Sequence, residues 1–305
     1  MAEPATTGSV GRASGSSVAD GQRRSVGSAR VSVGGRAVAY AEYGDPAGQP
    51  VVGLHGTPGS RRFGGMFAPA AAEQGVRLLA IDRPGYGDSA AWPERSLTDI
   101  GDVVAGVLDD VGVERAGVIG VSGGGPHALA VAATHPDRVT SVDVLSGATP
   151  PSSGPTPFSQ RLLAGIASAT PRLFRGLFGL QGWIADHVSP SVFLSQYTER
   201  EVDAFDERIV DHLTAEFVAA VGGGRPGVAT EFRLLGEPWE FDVAAVDRPV
   251  RLWHGQADTN VPLAGVRQLS QRLTEGELRT VDGDHLSTLL ACRGRVLARH
   301  ARGMG

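Results

Sequence analysis

No lysine occurs among the 305 residues, so all 28 basic side chains are arginine. Chemistry that needs a side-chain amine is thereby excluded. A Schiff base cannot form, and the phosphate-gripping lysine of a P-loop is missing. Cysteine is nearly absent. Cys292 stands alone, which rules out a disulfide within the chain and a zinc site built on several thiolates. Long apolar runs are missing as well. No stretch approaches the ~18–20 residues that cross a bilayer. The N-terminus lacks the continuous apolar segment of a secretory signal, so a cytoplasmic location is expected. Nor is the chain basic. Its formal net charge is -5, and a general nucleic-acid binder needs a basic face. What is present is an ordinary globular composition, 41% hydrophobic and 20% charged, on a chain long enough for one large domain. Glycine is abundant, with 43 residues, about twice the usual share.

Residues 1–28 are rich in Ser, Gly, Ala and Arg and carry no aromatic side chain. Such a segment cannot bury enough surface to offset its chain entropy, so a disordered tail is expected. From Ala29 onward strands and helices alternate. Arg30–Val33 and Arg36–Tyr43, parted by Gly34-Gly35, read as a hairpin. Short apolar strands are expected at Val51–Leu54, Arg77–Asp82, Gly117–Val121, Val139–Leu145, Val250–His254 and Glu277–Val281. Helical spacing marks Leu97–Val111, Pro126–His135, Leu263–Leu273 and Leu286–Ala301. Alternation of this kind predicts an α/β fold, a parallel sheet covered by helices on both faces. Between 149 and 242 the strand pattern stops. A Pro/Ser/Gly-rich linker at Pro150–Pro157 leads into helices carrying Phe174, Phe178, Trp183 and other large apolar residues. The expected division is therefore a core of 29–148 and 243–305 with a helical cap, or lid, over 149–242.

Three motifs carry chemistry. Gly120-Val121-Ser122-Gly123-Gly124 follows an apolar strand and precedes a helix, the context that a nucleophile elbow requires. Ser122 would sit at a helix N-terminus, where backbone N–H groups face any oxyanion formed there. His55-Gly56-Thr57-Pro58-Gly59 directly follows the strand Val51–Leu54. An acyl-transfer oxyanion needs two N–H donors, and Thr57 and Gly123 are the candidates. An elbow serine takes its partners in the order Ser, Asp or Glu, His. His285 follows a strand and opens a helix, which places it at the sheet edge that holds Ser122. His254 competes for that role. His55 and His127 belong to neighbouring segments, and His135, His187, His212 and His300 read as surface or helix residues. Asp258, in the loop after the Val250 strand, is the candidate acid. Asp143 competes from inside a strand. Asp282 and Asp284 are too close to His285 in the chain to orient it from its far side.

These residues resemble the α/β-hydrolase superfamily from about Arg36 to the C-terminus. The likeness rests on His55–Gly59, Asp82-Arg83-Pro84-Gly85-Tyr86-Gly87, Gly120–Gly124, Asp258 and His285. More narrowly, Ser122-Gly123-Gly124-Gly125-Pro126 and Pro238-Trp239-Glu240-Phe241 look like bacterial serine hydrolases related to esterases and proline-iminopeptidase-like proteins. The resemblance implies an eight-stranded, mostly parallel sheet with a cap inserted after the sixth strand. It implies a Ser122–Asp258–His285 triad with no cofactor and no metal. It makes Asp82 structural. Family members with an aspartate nucleophile, the epoxide hydrolases and haloalkane dehalogenases, are disfavoured by Ser122. The expected substrate is a small molecule with a hydrophobic portion, cleaved at an ester, thioester or lactone. Two alternatives stay open. One is an aminopeptidase or amidase, with Glu199, Glu201, Asp203, Asp206 and Glu207 as amine-binding candidates. The other is a non-hydrolytic protein on the same scaffold.

Overall fold

The computed structural model describes residues 27–154, 158–201, 204–222 and 224–303. The expected tail over 1–28 lies outside these residues except for its last two positions, which already belong to a strand. Eight strands form one sheet. They are β1 (Gly27–Val33), β2 (Arg36–Gly44), β3 (Gln49–Leu54), β4 (Val76–Ile81), β5 (Ala116–Val121), β6 (Val139–Leu145), β7 (Val250–Gly255) and β8 (Gly276–Val281). Their order is β1-β2-β4-β3-β5-β6-β7-β8. β1 pairs antiparallel with β2, and β2 with β4; every later pairing is parallel. The hairpin turn falls on Gly34 and Gly35, both with positive φ, a backbone that glycine adopts without steric cost.

The central strands are apolar on both sides because both faces of the sheet are covered. In β5, Val118 packs into one layer while its neighbours Ile119 and Val121 pack into the other. The first layer takes α2 (Ile100–Asp110), α3 (Gly124–Thr134) and α9 (Leu263–Arg272). The second takes α1 (Ala68–Glu73) and α10 (His285–Ala301). Cys292 is fully buried in the second layer, and burial pushes its thiol pKa up. It packs as a small apolar group.

Between β6 and β7 the chain leaves the sheet and forms α4 (Phe158–Ala169), α5 (Pro171–His187), α6 (Ser191–Leu194), α7 (Glu207–Val221) and α8 (Gly227–Gly236). Phe174, Phe193 and Phe217 bury in the second layer with residues of α10. Trp183 and its helix neighbours Leu173, Leu177 and Leu180 are exposed instead. No described helix is long and apolar enough to cross a membrane. Part of the linker expected at Pro150–Pro157 lies outside the described residues, and its first part forms a 3-10 turn at Pro151–Ser153.

Some boundaries differ from the sequence pattern for local reasons. α3 starts at Gly124, two residues before Pro126, since a proline fits anywhere in a first turn. α10 starts at His285 itself. Asp284 caps it by accepting the Ser287 N–H at 2.8 Å, and Ser287 Oγ accepts the Asp284 N–H at 2.8 Å. This reciprocal capping box fixes the helix start one residue early. His300, expected at the surface, is buried against the sheet.

Candidate active site

The turn between β5 and α3 brings Ser122 to the C-terminal edge of the sheet. Ser122 has φ +50, a left-handed backbone that costs a non-glycine residue on the order of 1–3 kcal/mol. Hydrogen bonds hold it there. Ser122 N–H donates to Leu145 O at 2.9 Å, and Ser122 O accepts Gly125 N–H at 2.9 Å and Ala148 N–H at 3.1 Å. The elbow leaves no room for side chains beside it. A Cβ on Gly124 would lie 2.2 Å from Leu54 O, and one on Gly123 would lie 2.2 Å from Thr57 Oγ1. The loop after β3 therefore presses directly on the elbow. Gly123→Ala is expected to push that loop away and lower kcat by about tenfold to a hundredfold, since small misplacements at a reacting centre carry such costs. Steady-state kinetics on a substrate that the wild type turns over would measure it. Unchanged kcat would mean that the contact is irrelevant to turnover.

The structure brings Ser122, His285 and Asp258 together. Ser122 Oγ lies 3.0 Å from His285 Nε2, and His285 Nδ1 lies 2.8 Å from Asp258 Oδ2. The geometry suits a ring that donates Nδ1–H to the carboxylate and accepts the serine hydroxyl at Nε2. Asp258 is itself locked, because its Oδ1 accepts the N–H groups of Asn260 and Val261, both at 2.9 Å. Burial alone would raise the Asp258 pKa. The hydrogen bond and charge of His285, with the Val261 N–H, outweigh burial and hold the carboxyl below its ordinary value. Asp258 and His285 are almost fully buried, while Ser122 is half-buried.

The competitors have other partners. His254 lies near Asp258, at 3.6 Å, but its Nε2 is 2.8 Å from Val261 O. Asp143 accepts the Trp253 indole N–H at 2.7 Å and pairs with Arg299, and it lies 3.0 Å from His300 Nε2. It anchors α10 to β6. Asp284 caps α10 and accepts the Thr198 hydroxyl at 2.6 Å. Asp82 accepts the N–H groups of Arg61 and Asp88 and pairs with the Arg61 guanidinium, which is a loop-building role. Glu199, Glu201, Asp206 and Glu207 are exposed, and Asp203 lies outside the described residues.

Beneath the loop after β3 lies a buried charge network that the sequence reading missed. Glu231 on α8 is fully buried and pairs with the guanidinium groups of Arg83 and Arg95. Arg83 also donates to Thr57 Oγ1 at 2.9 Å, to Gly56 O at 3.1 Å and to His55 O. The Thr57 hydroxyl lies 3.3 Å from Glu231 Oε2. On the other side, His127 Nδ1 lies 2.9 Å from Gly123 O. Burial drives His127 well below its ordinary pKa, so the ring is neutral, with Nδ1–H donating to that carbonyl. Burial also pulls Arg83 down to about 10 and Arg95 to about 9, which leaves both charged at neutral pH. One set of buried side chains thus holds both Thr57 and Gly123 in place. Two cations share one carboxylate there, which leaves positive charge in surplus.

Two hollows meet at Ser122. A cavity of about 80 Å³ runs among the 3-10 turn Arg61–Met66, α6, α7 and α10, with walls that include Phe63, Phe193 and Phe217. A wider cleft of about 850 Å³ runs toward α4, α8 and the loop after β7. Thr57, Pro58, Ser122, Tyr197 and His285 line both.

Comparison with known proteins agrees with this architecture. A segment of 120 residues is 34% identical to the dihydrolipoyllysine-residue acetyltransferase component of the acetoin cleaving system of Pseudomonas putida, over 39% of this chain and 32% of that protein. A segment of 102 residues is 43% identical to epoxide hydrolase B of Mycobacterium tuberculosis, over 32% of this chain and 28% of that one. A third of 135 residues is 34% identical to a 2-hydroxy-6-oxononadienedioate/2-hydroxy-6-oxononatrienedioate hydrolase of Paraburkholderia phymatum, over 43% of this chain and 44% of the relative. This chain thus spans less than half the length of each of these three relatives. Among solved structures, a hydrolase from Pseudomonas aeruginosa superposes with a TM-score of 0.70 at 20% identity, covering 91% of this chain and 98% of the other. An enol-lactonase from Burkholderia xenovorans gives 0.69 at 19% identity, covering 90% and 100%. At such identities the likeness is one of fold. The sequence pattern of the alpha/beta hydrolase fold, however, runs through residues 49–291, from the third strand into the last helix, and the chain belongs to that family.

Proposed function

We propose that this protein is a serine hydrolase that cleaves a carboxylic ester, thioester or lactone through an acyl-enzyme on Ser122. The observation that carries this reading is the continuous relay of 3.0 Å and 2.8 Å from Ser122 Oγ through His285 to Asp258. A free serine hydroxyl is a weak nucleophile at neutral pH. His285 Nε2 takes the hydroxyl proton as Oγ attacks the carbonyl carbon. Asp258 keeps the ring in the Nδ1–H tautomer and stabilises the imidazolium that forms. The carbonyl oxygen becomes an oxyanion, and the backbone N–H groups of Thr57 and Gly123 receive it. Each such donor is worth about 10²–10³ in rate. The surplus positive charge of Arg83 and Arg95 behind that loop favours the same negative charge. His285 returns the proton to the leaving alcohol or thiol. Water then repeats the cycle on the acyl-enzyme.

The helical insertion acts as the cap, and its aromatic side chains give the substrate an apolar surround. The solvent-facing positions of Glu199, Glu201, Asp206 and Glu207 withdraw support from the aminopeptidase alternative. A fluorophosphonate probe is expected to label Ser122, seen by intact mass. Ser122→Ala is expected to abolish labelling and the turnover of short p-nitrophenyl esters. A wild-type protein that stays unlabelled and turns over no ester would overturn this reading.

A further inference from the structure

The small cavity beside Ser122 is walled by Phe63, Met66, Phe193, Leu213, Phe217 and Leu289, all apolar. One ionisable side chain from α7 breaks this wall. Glu216 is only 8% exposed. A carboxyl placed there must hydrogen-bond something, because an unsatisfied polar group in apolar surroundings is costly. The Ser60 N–H supplies one donor to it. The nearest guanidinium, that of Arg83, is committed to Glu231, Thr57 and the carbonyls of His55 and Gly56. The Ser60 N–H, which a leucine would leave unpaired, occupies only part of the carboxyl's hydrogen-bonding capacity, and Glu216 lines the cavity beside Ser122.

We propose that Glu216 is a substrate-recognition group: the part of the substrate that fills this cavity carries a neutral oxygen, a keto, ether or hydroxyl oxygen a few atoms beyond the scissile carbonyl, and the Glu216 carboxyl hydrogen-bonds to it. The proposal rests on the serine-hydrolase reading for the identity of the scissile bond, and only for that. A cationic substrate group is the less favourable occupant. An ammonium brings several N–H donors and a full charge, and the apolar wall offers it a single carboxyl.

Burial supports the protonated state by pushing the Glu216 pKa up to about 8, with the Ser60 N–H and Arg83 pulling it partly back and Asp82 pushing further. The other titratable groups around it are His55, whose Nδ1 borders the same space beside Gly59 as Glu216 Oε1, Tyr43, Tyr197 and, across the cavity, His285. The carboxyl donates below that pH and loses its proton above it.

The test compares isosteric pairs. p-Nitrophenyl 3-methoxypropanoate and p-nitrophenyl pentanoate differ by one oxygen in place of a methylene. The ratio of their kcat/KM values is measured for wild type, Glu216→Gln and Glu216→Met. In the wild type this ratio is expected to exceed that in Glu216→Met by about tenfold, the worth of one well-placed hydrogen bond. Glu216→Gln keeps an N–H donor and most of the preference. A parallel arm needs no turnover: ligand-observed NMR gives the affinities of 3-methoxypropanamide, pentanamide and butylammonium for the intact protein. The methoxy preference is expected there too, and it shrinks as pH rises through about 8. Equal ratios in wild type and Glu216→Met would overturn the proposal. So would tight butylammonium binding that Glu216→Met abolishes. If no ester is cleaved, the hydrolase reading falls, while the amide affinities still decide the role of Glu216.

Discussion

Asp258→Asn lowers kcat by about four orders of magnitude while the protein stays folded. The asparagine oxygen can still accept the Asn260 and Val261 N–H groups that now hold the loop at 2.9 Å. What changes is the face toward His285. An amide NH₂ there is a donor, so Nδ1 must become an acceptor and the ring proton moves to Nε2. In that tautomer Nε2 cannot take the proton of Ser122. Single-turnover kinetics with an activated ester measure the loss, and chemical denaturation confirms the fold. Asp143→Asn is the control. Its amide oxygen can still accept the Trp253 N–H, but the ion pair with Arg299 is lost, and the change is expected to cost stability with little effect on kcat. The reverse pattern would make Asp143 the working acid. A pH dependence follows from the depressed Asp258 pKa. A carboxyl held below its ordinary value contributes stability that is present above about pH 3.9 and lost as pH falls through its folded-state value. The stability gap between wild type and Asp258→Asn therefore narrows on acidification.

The second large effect is on stability. Glu231→Leu is expected to destabilise the protein by about 3–5 kcal/mol, the cost of removing one partner from a buried ion pair. Arg83 and Arg95 are both buried and both rely on this carboxylate. Neither can reach water without disturbing the His55–Gly59 loop or its surroundings. Glu231→Gln keeps the shape and two polar contacts, and is expected to lose less. Because Arg83 also holds Thr57, kcat is expected to fall together with stability in Glu231→Leu, by about a hundredfold if the loop that carries Thr57 shifts by an ångström. Denaturant titration and steady-state kinetics of both variants give the two numbers. A Glu231→Leu protein as stable and as active as wild type would show that the guanidinium groups find other partners.

The sheet and the relay were legible in the sequence because their signals are local. Ser122 lies in a five-residue motif between an apolar strand and a helix. His285 and Asp258 each follow a strand, and chain order did the rest. The charge network and Glu216 were not legible, because their partners come from helices of the insertion. Periodicity says that a helix has an apolar side without saying what that side touches. A weaker signal was present. Glu231 lies three residues after Val228 and three before Leu234, and Glu216 lies between Leu213 and Ala220. Both carboxylates therefore occupy the apolar stripe of their helices, where an acidic residue is seldom buried without a partner. Arg83 was visible only as part of a turn, since nothing in Asp82–Gly87 indicates that its side chain runs back beneath the loop after β3.

The contact of Glu231 with Arg83 and Arg95 constrains how molecules reach the interior. Swinging α8 outward would strip a carboxylate from two sequestered cations, a far steeper barrier than sliding apolar surfaces apart. This helix and the loop that carries Thr57 therefore travel as one rigid body. A covalent tether between α8 and that loop is expected to leave substrate entry and exit unchanged.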